Sequence, residues 1–311
     1  MAECHCGCER DHLALTPALS RRERAQPERA RSALCQVVEE ITSRRNPIVA
    51  RFRDSTHSAS ATDSTVLLEG PRLIDEALAA GVRIDLAAIS TGTATARRSA
   101  AVLDRLDRTV TRLVRVSPAV MEALSPVTSP SGLVALATLQ PASFAAAAPP
   151  PQPLVVGLLG VQDPGNTGAV IRAVEAGGAT GVIIVGGADP YGWKALRGSM
   201  GSAFRLPIVR ALNRDQARAE ANAHGLRVLA AVPRDGTPVS DTDLRGPCLI
   251  WLGGEGGGLD AGVVANADEV VSIPMHPPVE SLNIAVAAAL IVYEAAGQRT
   301  SDTIRERGQY T

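Results

Sequence analysis

The sequence predicts an α/β protein, with a small α/β domain first and a second domain built on a mainly parallel sheet. Short apolar runs alternate with segments of helical spacing, which is the pattern of layered strands and helices. An Ala- and Pro-rich run at 140–153 divides that alternation into two series, and we interpret it as a linker. With 311 residues, 45% of them hydrophobic, the chain can bury a core in each part.

The first series covers residues 34–139 and follows a polar, Arg-rich stretch at 1–33, which we interpret as a flexible extension. Pro71 is placed at a helix start, apolar residues recur on one face of that helix, and Gly81 ends it. The other elements are strands at 66–68, 86–89, 112–116 and 133–138, and helices at 97–106 and 118–124. This alternation predicts a small α/β domain.

The second series covers residues 154–299 and leaves 300–311 as a C-terminal tail. Its strands are predicted at 154–159, 182–185, 227–231, 249–252 and 270–273, and its helices at 167–176, 215–224 and from Ser281 onward. The strands are short and continuously apolar, as expected when helices cover both faces of a parallel sheet.

Charge limits the kinds of partner that this chain can bind. The 31 basic and 32 acidic residues give a formal net charge of −1, which excludes a wholly electrostatic nucleic-acid binder, and we expect no DNA partner. The segment 10–53 nevertheless holds ten Arg against five acidic residues. A solvated surface and an RNA-facing arm both explain that excess. The low aromatic content, 3%, argues against a base-stacking platform.

The cysteines and the apolar runs predict a soluble, cytoplasmic protein without a metal site. Cys35 and Cys248 lie in apolar contexts typical of buried residues in a reducing compartment. Cys4, Cys6 and Cys8 are spaced more tightly than paired zinc ligands. The chain lacks an N-terminal apolar segment of the secretory type, and its longest apolar runs are far shorter than the ~20 residues of a membrane span.

Three polar loops each follow a predicted strand of the second series. Carboxyl ends of parallel strands meet at one edge, where open α/β sheets bind ligands, so we expect the loops to share a site. The first, Val-Gln-Asp-Pro-Gly-Asn-Thr-Gly at 161–168, leads into a helix that Asn166 is placed to cap. On that helix Arg172 and Glu175 are three residues apart and can pair, one or two turns from the ligand edge.

The second and third loops are rich in glycine and proline. Leu-Gly-Gly-Glu-Gly-Gly-Gly-Leu at 252–259 has five glycines around Glu255, which permit close backbone approach to a ligand or a flexible turn. Ile-Pro-Met-His-Pro-Pro-Val-Glu-Ser-Leu-Asn at 273–283 enters an Ala-rich helix. Ser281 is placed to cap that helix, and Asn283 in its first turn faces the same edge.

Dinucleotide binding is the main competing interpretation of these loops. It requires G-x-G-x-x-G after the first strand and an acid roughly 20 residues further on. The first loop offers only Gly165 and Gly168, although Asp189 would suit the acid, and the glycines at 253–258 lack the Lys of a P-loop. The glycine spacing therefore argues against a dinucleotide-dependent oxidoreductase.

Taken together, the loops resemble the three motifs of the SpoU/TrmH RNA 2′-O-ribose methyltransferases, a family of the SPOUT class. The matching patterns are D-P-x-N-x-G-A-x-x-R-x-x-E-A-x-G at 163–178, L-G-x-E-G-x-G-L at 252–259 and I-P-M-x(5)-S-L-N at 273–283. Three motifs in the right order are more specific than any one of them. Residues 43–49 and 67–77 resemble the family's ribosomal-protein-like substrate-binding domain.

The resemblance implies an RNA substrate-binding domain at 34–139 and a SPOUT domain at 154–299 with a C-terminal trefoil knot. It implies a homodimer with the active site at the interface, and S-adenosyl-L-methionine held by the second and third loops. By position, the cofactor-binding residues would be Leu252, Gly253, Ile273, Met275, Ser281 and Leu282. The catalytic residues would be Asn166, Arg172, Glu255 and Asn283. Gly254 departs from the family pattern, where Asn or Ala is commoner, and so does the stretch at 276–278.

The predicted reaction is methylation of a ribose 2′-hydroxyl in RNA. The appended N-terminal domain favours 23S ribosomal RNA over transfer RNA as the substrate. A guanidinium stays protonated at neutral pH and is a poor base, so we interpret Arg172 as a clamp on a neighbouring phosphate that also stabilises developing alkoxide charge. A non-catalytic RNA-binding or assembly factor on the same fold stays open, and a titration with S-adenosylmethionine separates it from an enzyme.

Overall fold

A computed structural model describes residues 39–57, 65–91, 97–210 and 213–308, so the predicted extension at 1–33 and its three cysteines lie outside the described residues. Within these ranges, five strands form a first sheet in the order β1-β4-β3-β5-β2. Strand β4 pairs in parallel with β1 and β3, whereas β5 pairs antiparallel with β2 and β3. The elements are β1 (Glu40–Ile41), α1 (Pro47–His57), β2 (Thr65–Glu69), α2 (Pro71–Ala79), β3 (Arg83–Ser90), α3 (Arg97–Thr109), β4 (Arg112–Val116), α4 (Pro118–Leu124) and β5 (Leu133–Thr138).

Helices cover both faces of this first sheet. Successive residues of β2 point to opposite faces, so Val66 and Leu68 join one hydrophobic cluster and Leu67 joins the other. Helices α2 and α3 pack on the first cluster, and α1 and α4 pack on the second. The mixed α/β fold predicted from the alternation of apolar runs is confirmed.

The second sheet is parallel in every pairing between described residues. Its seven described strands lie in the order β10-β12-β9-β11-β6-β7-β8. The elements are α5 (Phe144–Ala147), β6 (Leu154–Leu159), α6 (Pro164–Ala176), β7 (Gly181–Val185), α7 (Trp193–Ser199), α8 (Ser202–Arg205), β8 (Ile208–Val209), α9 (Arg214–Ala223), β9 (Arg227–Val232), β10 (Thr237–Pro238), β11 (Cys248–Gly253), α10 (Ala261–Ala265), β12 (Glu269–Ser272) and α11 (Ile284–Gly308).

Strand β11 lies at the centre of this sheet, between β9 and β6. Its residues alternate between two cores: Ile250 and Leu252 face the cluster that α6 and α11 cover, and Trp251 faces the cluster under α5 and α9. Trp251 lies opposite Gly157 in the register, where a β-carbon would come within 2.2 Å of the indole ring. Gly157 therefore provides the space that Trp251 occupies.

The run at 140–153, which we interpreted as a linker from its composition, contains the short helix α5. Ser143 caps α5 by accepting a hydrogen bond from the backbone N–H of Ala146. Phe144 and Ala147 are buried in the core under α9, and the Ala147 carbonyl accepts a bond from the Thr180 hydroxyl at 2.8 Å. The segment becomes ordered because it buries apolar side chains, a contact that the local Ala-Pro composition does not reveal.

The C-terminal boundary and three short helices also differ from the sequence expectations. Helix α11 continues to Gly308, into the predicted tail at 300–311. Helices α7 and α8 and the short α10 were not expected, since they are rich in Gly, Ser and Ala rather than in a clear apolar stripe. Within the described residues, no helix is long and apolar enough to cross a membrane.

Candidate functional site

Four adjacent strands of the second sheet, β12, β9, β11 and β6, end at one edge. The three polar loops follow three of these strands: the first loop follows β6, the second β11 and the third β12. All four strands are parallel, so their carboxyl ends bring the loops together, as the sequence predicts.

The second loop forms a tight turn against the first. A β-carbon at Gly254 would lie 2.3 Å from the carbonyl oxygen of Gly160, and one at Gly253 would lie 2.1 Å from the carbonyl carbon of Gly258. Gly256 and Gly258 have φ of +84° and +60°, in the left-handed region that favours glycine. The glycine at position 254, which departs from the family pattern, therefore fits this fold, because the Gly160 backbone occupies the space that a side chain would need.

The second and third loops enclose a cavity of about 540 Å³ with the end of β9 and the start of α11. A volume of this size suits a small organic ligand. The cavity is lined by all six residues that the sequence assigned to cofactor binding, together with Glu255: Leu252, Gly253, Ile273, Met275, Ser281 and Leu282.

Three of the four predicted catalytic side chains form one hydrogen-bonded chain. The Asn166 Nδ2 donates to the Glu255 carboxylate, and the Asn166 Oδ1 accepts from the Asn283 Nδ2 at 3.1 Å. The Asn283 Oδ1 in turn accepts from the backbone N–H of Ala285 at 2.8 Å. Because Glu255 also lines the cavity, this chain lies directly beside it.

The helix caps differ from the sequence expectations. Asp163, not Asn166, caps α6: its carboxylate accepts from the backbone N–H of Asn166 at 2.7 Å, and Pro164 follows at the first helical position. Helix α11 begins at Ile284 and not at Ser281, and the Asn283 side chain accepts from its first turn. Neither Asn166 nor Ser281 caps a helix. The Asn166 side chain instead lies in the hydrogen-bonded chain, and Ser281 lines the cavity.

The predicted pair of Arg172 and Glu175 does not form. Glu175 pairs instead with Arg205 of α8, through contacts of 2.8 and 3.0 Å, because α8 packs beside this turn of α6. Arg172 is exposed, and within the described residues it makes no ion pair and does not line the cavity. It is the one predicted catalytic residue that the structure leaves apart from the other three.

Sequence reasoning missed part of the cavity wall. Ala231, Val232 and Pro233, at the end of β9, line it, as does Glu280. Ala231, Val232 and Pro233 could have been predicted from the sequence to line the site, because β9 ends at the same edge as β11 and a proline ends the strand. Glu280 lies in the third loop, directly before the matched Ser-Leu-Asn, and its carboxylate adds negative charge to the cavity wall. In the part of the chain that the structure describes, no group of three His, Cys, Asp or Glu is arranged to hold a metal ion.

Fold and site together define a class: a parallel α/β protein that binds a small organic ligand at the carboxyl edge of its sheet, beside a cluster of amide and carboxylate groups. Residues 153–293 match the SpoU rRNA Methylase family. An uncharacterized tRNA/rRNA methyltransferase of Synechocystis sp. is 32% identical over 264 residues, which cover 83% of this chain and 94% of that protein. The chain therefore belongs to the SpoU rRNA methylase family.

The chain is also similar to two methyltransferases that have specific names. The 23S rRNA (guanosine(2553)-2′-O)-methyltransferase RlmP of Bacillus subtilis is 37% identical over 138 residues, 44% of this chain and 55% of that enzyme. The structure of the SpoU methyltransferase AviRb from Streptomyces viridochromogenes in complex with AdoMet superposes with a TM-score of 0.75 at 27% identity. That match covers 83% of this chain and 99% of AviRb.

Proposed function

We propose that this protein transfers a methyl group from S-adenosylmethionine to the 2′-oxygen of a ribose in RNA, with 23S ribosomal RNA as the substrate. The observation that carries the proposal is the position of Glu255. This residue both lines the cavity and accepts the hydrogen bond that begins the chain through Asn166 to Asn283. A small-molecule cavity and a row of polar groups that can align a hydroxyl thus share one residue.

The cavity fits S-adenosylmethionine in size and in chemistry. Apolar side chains, among them Leu252, Ile273 and Leu282, offer a surface for a flat heterocycle, and the glycine turn exposes backbone amides and carbonyls. The carboxylates of Glu255 and Glu280 suit the positive charges of an amino group and a sulfonium. When bound, the cofactor supplies a methyl group that its positive sulfur has already activated.

The chain of amides would align the attacking hydroxyl. Asn166 is oriented at both ends, because a carboxylate can only accept and therefore takes the Nδ2, which turns the Oδ1 toward Asn283. A side chain held in this way needs little reorganisation when the hydroxyl binds. Alignment of two reactants can contribute several kcal/mol, roughly 7 in well-oriented cases.

Arg172 would bind the RNA beside the reacting ribose. It is exposed, and a guanidinium forms forked hydrogen bonds with phosphate oxygens. Its permanent charge would also stabilise the negative charge that develops on the 2′-oxygen as its proton leaves.

The N-terminal domain would select the RNA through phosphate and shape contacts. Its described part has the exposed residues Arg45 and Arg51 near and within α1. Ribosomal RNA is the proposed substrate because RlmP, whose name specifies 23S rRNA, is 37% identical to this chain over 138 residues. We place the protein in the cytoplasm, where its substrate would be made.

A second copy of the chain would complete the site. Val286, Leu290 and Tyr293 of α11 are 48%, 47% and 55% exposed, and their spacing places them on one face of the helix. Val279, in the third loop that lines the cavity, is also 48% exposed. We propose that this surface is covered in a homodimer, and that the chain around β11 and β12 forms the trefoil knot implied by the motifs.

Incubation with total bacterial RNA and methyl-labelled S-adenosylmethionine tests the proposal. We expect label in the 23S fraction, sensitive to substitution of Asn166. Label in transfer RNA alone would show that the substrate is transfer RNA and not 23S ribosomal RNA. Saturable cofactor binding is expected by calorimetry, and its absence together with the absence of label would indicate a non-catalytic RNA-binding protein.

A further inference from the structure

Arg205 joins three elements of the structure through two carboxylates. Its Nε and Nη2 contact the Glu175 Oε1 and Oε2 of α6 at 2.8 and 3.0 Å, a forked pair. Its Nη1 contacts the Glu76 Oε2 of α2, in the first domain, at 2.7 Å. Arg205 itself ends α8. The guanidinium is thus fixed on two sides, with Glu175 as its two-point partner.

Glu175 is turned toward α8 and not along its own helix. Its side chain is 25% exposed, and Ser202 adds a hydrogen bond to it. Burial raises the pKa of Glu175, but the hydrogen bonds from Arg205 and Ser202 outweigh burial, so that its pKa lies below the ordinary value. The residue is therefore a carboxylate at neutral pH, held in one direction.

Arg172 lies three residues before Glu175 on the same helix, a spacing at which opposite charges attract. A guanidinium keeps its charge at neutral pH, so a freed Glu175 carboxylate would compete for Arg172. In the structure that competition is absent, because both oxygens of Glu175 are engaged by Arg205.

We propose that Arg205 is a positioning residue, which holds the Glu175 carboxylate away from Arg172 and so leaves the Arg172 guanidinium available to an RNA phosphate. The inference rests on the proposed function, since it assigns Arg172 to the substrate. A guanidinium paired with a carboxylate cannot offer its fork to a phosphate, and an uncompensated carboxylate three residues away would repel that phosphate.

Four forms of the protein test the inference: wild type, Arg205→Ala, Arg205→Ala/Glu175→Gln and Glu76→Gln. The substrate is a 23S rRNA transcript made in vitro, with S-adenosylmethionine as the donor. The readouts are kcat/KM for the transcript, its affinity as a function of salt, the affinity for S-adenosylmethionine, and the thermal unfolding midpoint.

We expect Arg205→Ala to lower kcat/KM about two- to threefold, the size of effect that a competing helical ion pair produces. The salt dependence of RNA affinity is expected to weaken by less than one phosphate contact, because a weak helical ion pair occupies Arg172 for only part of the time. Both readouts return to wild type in Arg205→Ala/Glu175→Gln, because the glutamine removes the competing charge. Glu76→Gln, which leaves the Glu175 pair intact, behaves like wild type, and affinity for S-adenosylmethionine is unchanged throughout.

Rescue by Glu175→Gln distinguishes positioning from a packing role. If Arg205→Ala has no effect, or if the double variant stays as impaired as the single one, the proposal is wrong. A loss in Glu76→Gln equal to that in Arg205→Ala would assign Arg205 to the contact between the domains instead. A wild-type protein that methylates no RNA contradicts the proposed function, and the RNA affinities of the four forms then still decide the role of Arg205.

Discussion

The side chains of Asn166 and Asn283, 117 positions apart in the chain, are joined by a 3.1 Å hydrogen bond. Asn166 donates to Glu255 with its other end, and Asn283 accepts from the backbone N–H of Ala285. A carboxylate at one end and a backbone donor at the other fix the orientation of both amides. The loops that follow β6, β11 and β12 are thereby connected into one polar surface.

Replacement of Asn166 by Asp is expected to lower kcat about 100-fold, because two carboxylates then face each other and the aligned geometry is lost. Methyl transfer to RNA under saturating substrate measures this effect. Affinity for S-adenosylmethionine should stay within about twofold, since Asn166 does not line the cavity. Asn222→Asp, an equal charge change at an exposed position of α9, is the control. Equal activity of the two variants would contradict the role of the amide chain.

Arg172→Ala is expected to lower kcat/KM about 100-fold, through lost phosphate binding and lost stabilisation of negative charge. Arg172→Lys keeps the charge without the fork, so an intermediate loss is expected. Arg214→Ala, which removes an exposed arginine paired with Asp260, controls for the change in net charge. Near-normal turnover of Arg172→Ala on bound RNA would exclude Arg172 from catalysis.

Gly254→Ala and Gly257→Ala form a matched pair in one loop. A β-carbon at Gly254 would lie 2.3 Å from the Gly160 carbonyl oxygen, whereas one at Gly257 meets nothing within 4 Å. The strain of such a clash, about 1–3 kcal/mol, should displace the loop and weaken S-adenosylmethionine binding tenfold or more in Gly254→Ala only. Calorimetric titration of both variants measures it. The same affinity in both would show that this turn does not shape the cofactor site.

Asp268 should make part of the stability of the second domain dependent on pH. Burial raises its pKa, but hydrogen bonds from the Val228 backbone N–H and from Arg218 outweigh burial, so that its pKa lies below the ordinary value. A lowered pKa stabilises the fold fully above roughly pH 4, and this contribution is lost as pH falls through the lower folded pKa. In urea unfolding, Asp268→Asn should have a lower free energy of unfolding than wild type at pH 7. That free energy should then fall less than the wild-type value between pH 7 and pH 3. Asp54→Asn, at an exposed position of α1, should follow the wild-type curve.

Leu290→Arg is expected to convert a dimer into a monomer, because it places a charge in the middle of the exposed apolar face of α11. Sedimentation equilibrium measures the mass directly. Ala219→Arg, on the exposed side of α9, should leave the dimer unchanged. A wild-type protein that sediments as a monomer at all concentrations would overturn the homodimer.

The strands and the shared edge could be predicted from the sequence for a simple physical reason. A strand buried on both faces must be apolar throughout, so runs such as 154–159 and 249–252 are visible without tertiary information. The positions of the three loops can then be predicted from the residues at which those runs end. The cap of α6 could also have been predicted correctly, because Pro164 at the first helical position indicates Asp163 as the cap.

Contacts between distant segments could not be predicted in this way. Helical spacing paired Glu175 with Arg172, but α8 supplies Arg205, which lies 30 residues further along the chain and binds both carboxylate oxygens. Strand order likewise depends on fits such as Trp251 against Gly157, which no local pattern shows. The short helix α7 depends on close packing at Gly168 of α6, where a β-carbon would lie 2.3 Å from the Ala195 carbonyl.

The most direct measurement is nucleoside mass spectrometry of an in vitro 23S rRNA transcript after incubation with the protein and S-adenosylmethionine. The proposed site predicts a single 2′-O-methylated nucleoside, formed by wild type and reduced about 100-fold by Asn166→Asp. A methyl group on a base, or no methylation although S-adenosylmethionine binds, would contradict the account.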